Sequence, residues 1–275
     1  MGVFHRSALV AAVLLAIPMG AAAGDYLEPP PYLPPPVDVG GNWYLRGHIG
    51  MTAQSFDGLD HDSFATATDF AWLDQGHFSA APAIGVGIGF QVSEKLRVDL
   101  TGEYRGKANF SALDQFDNGG TTNTDAYDAK TSEWLFLANA YYDLGLWHGM
   151  SPYVGAGVGL ARNSVYDFTG TNVIAPSASW APTGHQWSVA WALHAGASMQ
   201  VTDNLTLDLG YSFVSLGDAK TGPYQNVDPG IGCAANAPPD CTSMTLRGLY
   251  SHDVKLGLRW MLDRGAIPTG PTARR

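Results

Sequence analysis

Five bases, Arg46, Arg97, Arg105, Lys255 and Arg259, and five acids, Asp99, Glu103, Glu133, Asp208 and Asp253, fall on the polar side of segments that alternate apolar and polar residues. Such groups could relay protons, hold an ion, or neutralise one another in a confined space. Their equal numbers favour the last, because an unpaired charge held away from water is costly. Other signatures of chemistry are weak. Gly85-x-Gly87-x-Gly89 and Gly155-x-Gly157-x-Gly159 lack the G-x-G-x-x-G spacing of a nucleotide loop and open no helix. The histidines, including His48, His61, His77, His185, His194 and His252, show neither H-x-x-x-H nor H-E-x-x-H spacing, so no metal site is expected. Asp57, Asp60, Asp62, Asp69, Asp74, Asp114, Asp117, Asp125 and Asp128 lack EF-hand spacing and read as solvated loop acids. A Ser/His/Asp set is spatial rather than sequential. The sequence offers His252 on an outward face but no serine–histidine pair at one height there. No catalytic residue and no cofactor is expected.

The elements that carry these residues are strands. In Gln186 to Val201, Trp187, Val189, Trp191, Leu193, Ala195, Ala197, Met199 and Val201 share one face, and Gln186, Ser188, Ala190, Ala192, His194, Gly196, Ser198 and Gln200 share the other. The polar face is too small and too charged to cover a dry core. It reads as the inside of a barrel whose outer solvent is lipid. Strands are expected near 43–51, 82–92, 96–105, 132–143, 152–162, 185–201, 205–215 and 246–262. Short turns at 93–95, 144–151 and 202–204 alternate with long connections at 52–81, 106–131, 163–184 and 216–245. The predicted fold is all-β, an eight-stranded antiparallel transmembrane β-barrel. With the short turns in the periplasm, outward aromatics sort to two heights: Trp43, Phe90, Tyr142 and Trp260 at the periplasmic rim, and Tyr104, Trp134, Trp187, Tyr211, Phe213 and Tyr250 at the outer rim.

A barrel of this size is filled by its own side chains. The ten charges should therefore pair inside it and leave little room for solute. The inward glycines of the second and fifth strands would make space for long side chains from the others. Leu135 and Leu137 are predicted to face the same polar interior, where apolar residues do not belong.

The ends divide the chain. Residues 1–23 read as an export signal: His5 and Arg6, an apolar run from Ala8 to Ile17, then Ala21-Ala22-Ala23 before Gly24. Residues 24–41 form a Pro-rich periplasmic segment, 42–262 the barrel and 263–275 a periplasmic tail. The 275-residue chain has a formal charge of −10, which argues against a nucleic-acid partner. Cys233 and Cys241 fall in one predicted outer loop of an exported chain, and a disulfide between them is the default expectation.

The last strand carries Lys255-x-Gly257-Leu258-x-Trp260, which resembles the C-terminal signal read by barrel-assembly machinery, although here the chain continues through Met261 and Leu262. Asn42-Trp43-Tyr44-Leu45-Arg46-Gly47-His48-Ile49-Gly50 resembles the first strand of the porin-family, opacity-type outer-membrane proteins of Gram-negative bacteria, within the OmpA-like β-barrel group. Asn139 to Leu144 followed by Pro152 to Gly159 is similar to that family's central hairpin. The resemblance implies the cell outer membrane, with its lipid and lipopolysaccharide, as the setting, and barrel-assembly machinery as a partner. The expected role is non-enzymatic: envelope structure and surface interaction through four long loops, by a monomer whose loop ligand is unknown. A small-solute channel and a lipid-modifying enzyme are the alternatives.

Overall fold

Alternating residues let each pass of the chain present one face to the bore and one to the surroundings. The computed structural model describes residues 42–61, 64, 68–117, 119–174, 177–226 and 242–262. Eight long strands cross between the two ends: β1 (Trp43–Ser55), β2 (Ala81–Gln91), β3 (Leu96–Asp117), β4 (Asp125–Asp143), β5 (Met150–Asn172), β6 (Gly184–Gln200), β7 (Leu205–Pro223) and β8 (Ser243–Met261). Each pairs antiparallel with its sequence neighbours, and β8 pairs also with β1 and so closes the ring. Closure leaves no unpaired edge, a requirement for any sheet that spans lipid.

One end of the ring has short connections, 92–95, 144–149 and 201–204. The middle one is tight: His148 and the glycines Gly145 and Gly149 have positive φ (50°, 105° and 82°), and Trp147 bridges to Met150. At the other end the strands run much further than expected from sequence. β3 continues to Asp117, β4 begins at Asp125, β5 continues to Asn172, and β7 reaches Pro223. Most of what sequence assigns to the connections 106–131 and 163–184 is therefore strand. Short strands join this extension: Gly58–Asp60 pairs with β8, Thr68–Phe78 and Thr122–Asn123 pair with β3, and Ala178–Ala181 pairs with β5 and with Gln225–Asn226.

Irregularities in the ladder explain the shortfall. The register shifts between Arg105 and Ala108 on β3, between Asp128 and Lys130 on β4, and twice between Ser215 and Ala219 on β7. An extra residue in one strand breaks the period-two pattern at that point. Beyond each bulge the alternation resumes in a new phase, and a single-phase reading stops there.

The bore changes character along its length. At the short-turn end it is lined by the charged set and by Tyr44, Tyr141 and Tyr153. At the outer end it is mainly apolar: Phe110, Tyr127, Val165, Phe168, Leu216, Met244, Leu246 and Leu249 are all buried, with Asp114, Asn123 and Asn163 among them. Leu135 and Leu137 belong to this apolar cluster by contact, but they reach down into the charged lining, Leu135 level with Glu103 and Leu137 level with Thr101. A wholly polar interior is thus corrected to a polar lower bore beneath an apolar plug. The plug needs no ion pairing, since the hydrophobic effect stabilises it as it would a soluble core.

Candidate functional site

Only two faces of a closed barrel can act, the bore and the outside. In the bore most of these acids gather donors from more than one strand. Asp99 accepts from Arg46 Nη1 at 2.8 Å, Tyr44 Oη at 3.1 Å and Asn139 Nδ2 at 2.8 Å. Glu103 lies 2.6 Å from His48 Nε2, 2.9 Å from Arg105 Nε and 2.5 Å from Lys255 Nζ. Asp253 takes Arg105 Nη2 at 2.6 Å and Lys255 Nζ at 3.2 Å. Asp208 accepts from Arg259 Nε at 2.9 Å and from the Ser198 hydroxyl at 2.6 Å. Glu133 accepts from Gln54 Nε2 at 2.7 Å. The ten charges named from sequence all line the bore, four of them on β3 and three on β8; eight pair with one another, Arg97 pairs instead with Asp143, and the expectation of complete pairing is corrected at Glu133, which meets no base within ion-pair distance among the described residues.

Sequence reading missed three contributors. Arg97 is held 3.3 Å from Asp143, an acid at the end of β4 that looks like a turn residue. The Arg97 guanidinium also lies 4.4 Å and 4.6 Å from the ring centres of Tyr141 and Tyr153. Their inward position at alternate spacing was the available signal. The glycines accommodate this crowding: a Cβ at Gly85 would collide with the His48 ring, and one at Gly89 with the Tyr44 ring.

The bore contains a cavity of about 40 Å3, lined by residues including His48, Glu103, Asn139, His194 and Lys255. That is room for a few waters. Above it the apolar plug begins. Cys233 and Cys241 lie outside the described residues.

The outside is apolar through the middle of the barrel. Ile84, Val86, Ile88, Leu100, Val154, Val158, Leu193, Leu209, Val254, Leu256 and Leu258 all point outward and are exposed to the surroundings. Such a continuous apolar surface is foreign to a water-soluble monomer. Rings bound this band on both sides. Trp43 pairs with Phe90 across β1 and β2, their centroids 5.2 Å apart, near Trp260 on β8. At the other side Tyr104 contacts Trp134, Phe136 stacks on Trp187 and Phe213 meets both Trp191 and Tyr250. Two rings of aromatics around an apolar belt are the mark of a barrel seated in a bilayer.

A family model of the outer membrane protein beta-barrel domain matches residues 9–230. The chain belongs to this family. It is a protein of the outer membrane of Gram-negative bacteria. It is 28% identical over 277 residues to an uncharacterized protein of Brucella abortus (strain 2308), covering 92% of this chain and 96% of that one. It is 27% identical over 191 residues to a Rickettsia prowazekii (strain Madrid E) protein named "Putative adhesin", covering 66% of this chain and 76% of that one. Among solved structures, Neisserial surface protein A matches with a TM-score of 0.43 and 16% identity, over 80% of this chain and 97% of that one.

Two histidine contacts on the outer face escaped sequence reading. His252 Nδ1 lies 2.6 Å from the Tyr211 hydroxyl. His185 Nδ1 lies 2.9 Å from Ser164 Oγ, so the expectation that no serine–histidine pair faces outward is corrected. Ser164 and His185 fall opposite one another only because β5 and β6 pair in that register, which residue spacing does not reveal. Ser164 is nonetheless buried, 3% exposed, so its hydroxyl offers little access to a substrate.

In the outer extension burial raises two neighbouring acids, Asp114 and Asp125. Asp114 accepts from the Tyr127 hydroxyl at 2.9 Å and from the Asp125 backbone N–H at 3.1 Å. Burial pushes its carboxyl up to about 6, overcoming those two hydrogen bonds. Between the ordinary carboxylate range and about 6 the folded chain holds a proton that the unfolded chain releases. The resulting stabilisation is present at low pH and is lost as pH rises through that window. The extension should therefore melt at a higher temperature at pH 4.5 than at pH 7.5, read by near-ultraviolet circular dichroism. Asp114→Asn should reduce that dependence, leaving the part that belongs to Asp125. An unchanged slope in the variant would show that Asp114 is not a titrating group.

Proposed function

We propose that this barrel is a non-enzymatic, non-conducting monomer that contributes to envelope structure and engages a partner through the tips of its outer extension. The observation that carries the reading is the doubly closed bore: a paired-charge lining with a cavity of about 40 Å3, beneath an apolar plug. A solute path would need a continuous polar channel, and the plug interrupts it. What the fold projects instead is a rigid, strand-built platform. The strands that carry its connections run beyond the outer aromatic ring, and loops on a rigid scaffold carry recognition. The name given to the Rickettsia relatives is consistent with this role. The Lys255, Gly257, Leu258 and Trp260 pattern at the end of β8 fits a client of barrel-assembly machinery, with Leu258 and Trp260 outward.

Two measurements test the reading. Purified protein in planar bilayers should show no discrete conductance steps. Cells bearing the barrel should bind a host or bacterial surface, and shortening the 227–241 segment or the 62–67 segment should reduce that binding while the unheated gel shift of a folded barrel remains. Stable single-channel currents would favour the channel alternative. Unchanged binding by both shortened forms would remove the loops from the role.

A further inference from the structure

The outer face between β3 and β6 differs from the rest of the surface. Arg162 on β5 stands opposite Trp134 of β4 on one side and Trp187 of β6 on the other, within the outer aromatic ring. One row further out, Ser132, Ser164 and His185 lie opposite one another on β4, β5 and β6. The bulge between Arg105 and Ala108 puts Gly106 and Lys107 together opposite Ser132, and Lys107 is exposed. A bulge re-aims a side chain in this way. The Lys107 ammonium lies 5.0 Å from the centre of the Tyr166 ring. The Tyr166 hydroxyl accepts from Ser132 Oγ at 3.4 Å, and its ring centroid is 6.1 Å from that of His185.

The charges here are unusual for an acidic protein. Elsewhere on the described outer extension, Lys130 meets Asp167 at 3.1 Å and Arg247 meets Asp60. Among the described residues neither Lys107 nor Arg162 has a carboxylate within ion-pair distance. Two bases without counter-charge therefore sit about two strand spacings apart, roughly 10 Å, at the level of the outer tryptophans. Tryptophan at a membrane boundary marks the headgroup layer. Cations held there attract anionic headgroups.

We propose that Lys107 and Arg162, with Tyr166 and His185 beside them, bind the phosphorylated headgroup of an outer-leaflet glycolipid. The indoles of Trp134 and Trp187 flank the guanidinium and pack against the acyl chains below. Arg162 offers a planar fork suited to phosphate oxygens, and Lys107 a point charge at the other side of the Tyr166 ring. This site depends on the seating of the barrel in the membrane and not on the surface-binding role, so either can fail alone.

The test is native mass spectrometry of the full-length barrel in neutral detergent, titrated with diphosphorylated lipid A, with its dephosphorylated form, and with inorganic phosphate as competitor. Lipid A should be retained, and the dephosphorylated form should bind roughly tenfold or more weakly. Inorganic phosphate at millimolar levels should displace little, because it lacks the acyl chains. Lys107→Gln and Arg162→Gln should each weaken lipid A binding several-fold, with the double variant weakest. Lys220→Gln, an exposed base on β7 away from this patch, should leave it unchanged. The unheated gel shift reports that each variant is folded. Equal binding of phosphorylated and dephosphorylated lipid, or a folded double variant that binds as the parent does, would overturn the proposal.

Discussion

Arg105→Ala is expected to destabilise the folded barrel by about 3–5 kcal/mol, the usual cost of removing one partner from a buried ion-pair network. Arg105 is fully buried and donates to Glu103, to Ser251 at 2.6 Å and to Asp253 at 2.6 Å. Without it Glu103 keeps His48 and Lys255, and Asp253 keeps Lys255 alone. Glu133 has no base within ion-pair distance among the described residues, and the Arg105 charge near it would be gone. Urea titration of folding into phospholipid vesicles measures the loss. Adding Asp253→Asn to Arg105→Ala should recover part of it, because the acid left exposed to a dry interior is then neutral. A loss below about 1 kcal/mol would mean that water enters the lower bore and solvates these charges, and the closed-bore reading would fall with it.

Leu209→Arg should cost about 2–4 kcal/mol, the penalty for a base near the middle of the bilayer. Leu209 is 58% exposed on β7, between Ala197 and Leu256 in the register, midway between the aromatic rings. Leu209→Met, which keeps volume and polarity, should change stability by well under ~1.5 kcal/mol. The comparison matters because both substitutions alter the same contacts and only one brings charge into hydrocarbon. If arginine were tolerated as well as methionine, the apolar belt would not be the lipid-facing surface.

How much of this was legible from residue order varies along the chain. The eight crossings, the short turns and the inward charges follow from alternation, because a sheet between lipid and a packed bore allows only one inside face. The outer extension was not legible, for two reasons. Much of its interior is apolar, so the rule of polar inside and apolar outside weakens outward of Arg105 and Glu133. Its phase also changes at Lys107, near Asp167 and at Gly217, which hides alternation from any single-phase reading. Leu135 and Leu137 were the visible trace of that change, two apolar residues pointing into a bore expected to be polar. Asp143 was passed over because an acid beside a turn is usually solvated. The Ser164–His185 contact crosses from β5 to β6 and the Lys107–Tyr166 contact from β3 to β5, and only the register brings each pair together.

The pairing of β1 with β8 runs unbroken from Tyr44–Met261 to Ser55–Tyr250, with Leu262 N–H donating to Trp43 O at 2.9 Å at the end. It is as regular as any pairing between strands joined by a turn. In topological terms the barrel is a ring whose seam is set by where the gene begins, not by a weak point in the wall. Linking residue 262 to residue 42 and opening the ring at an outer tip would give a circular permutant with every strand pair intact. Such a permutant would place both chain ends on the cell surface, where each could carry a reporter or a ligand.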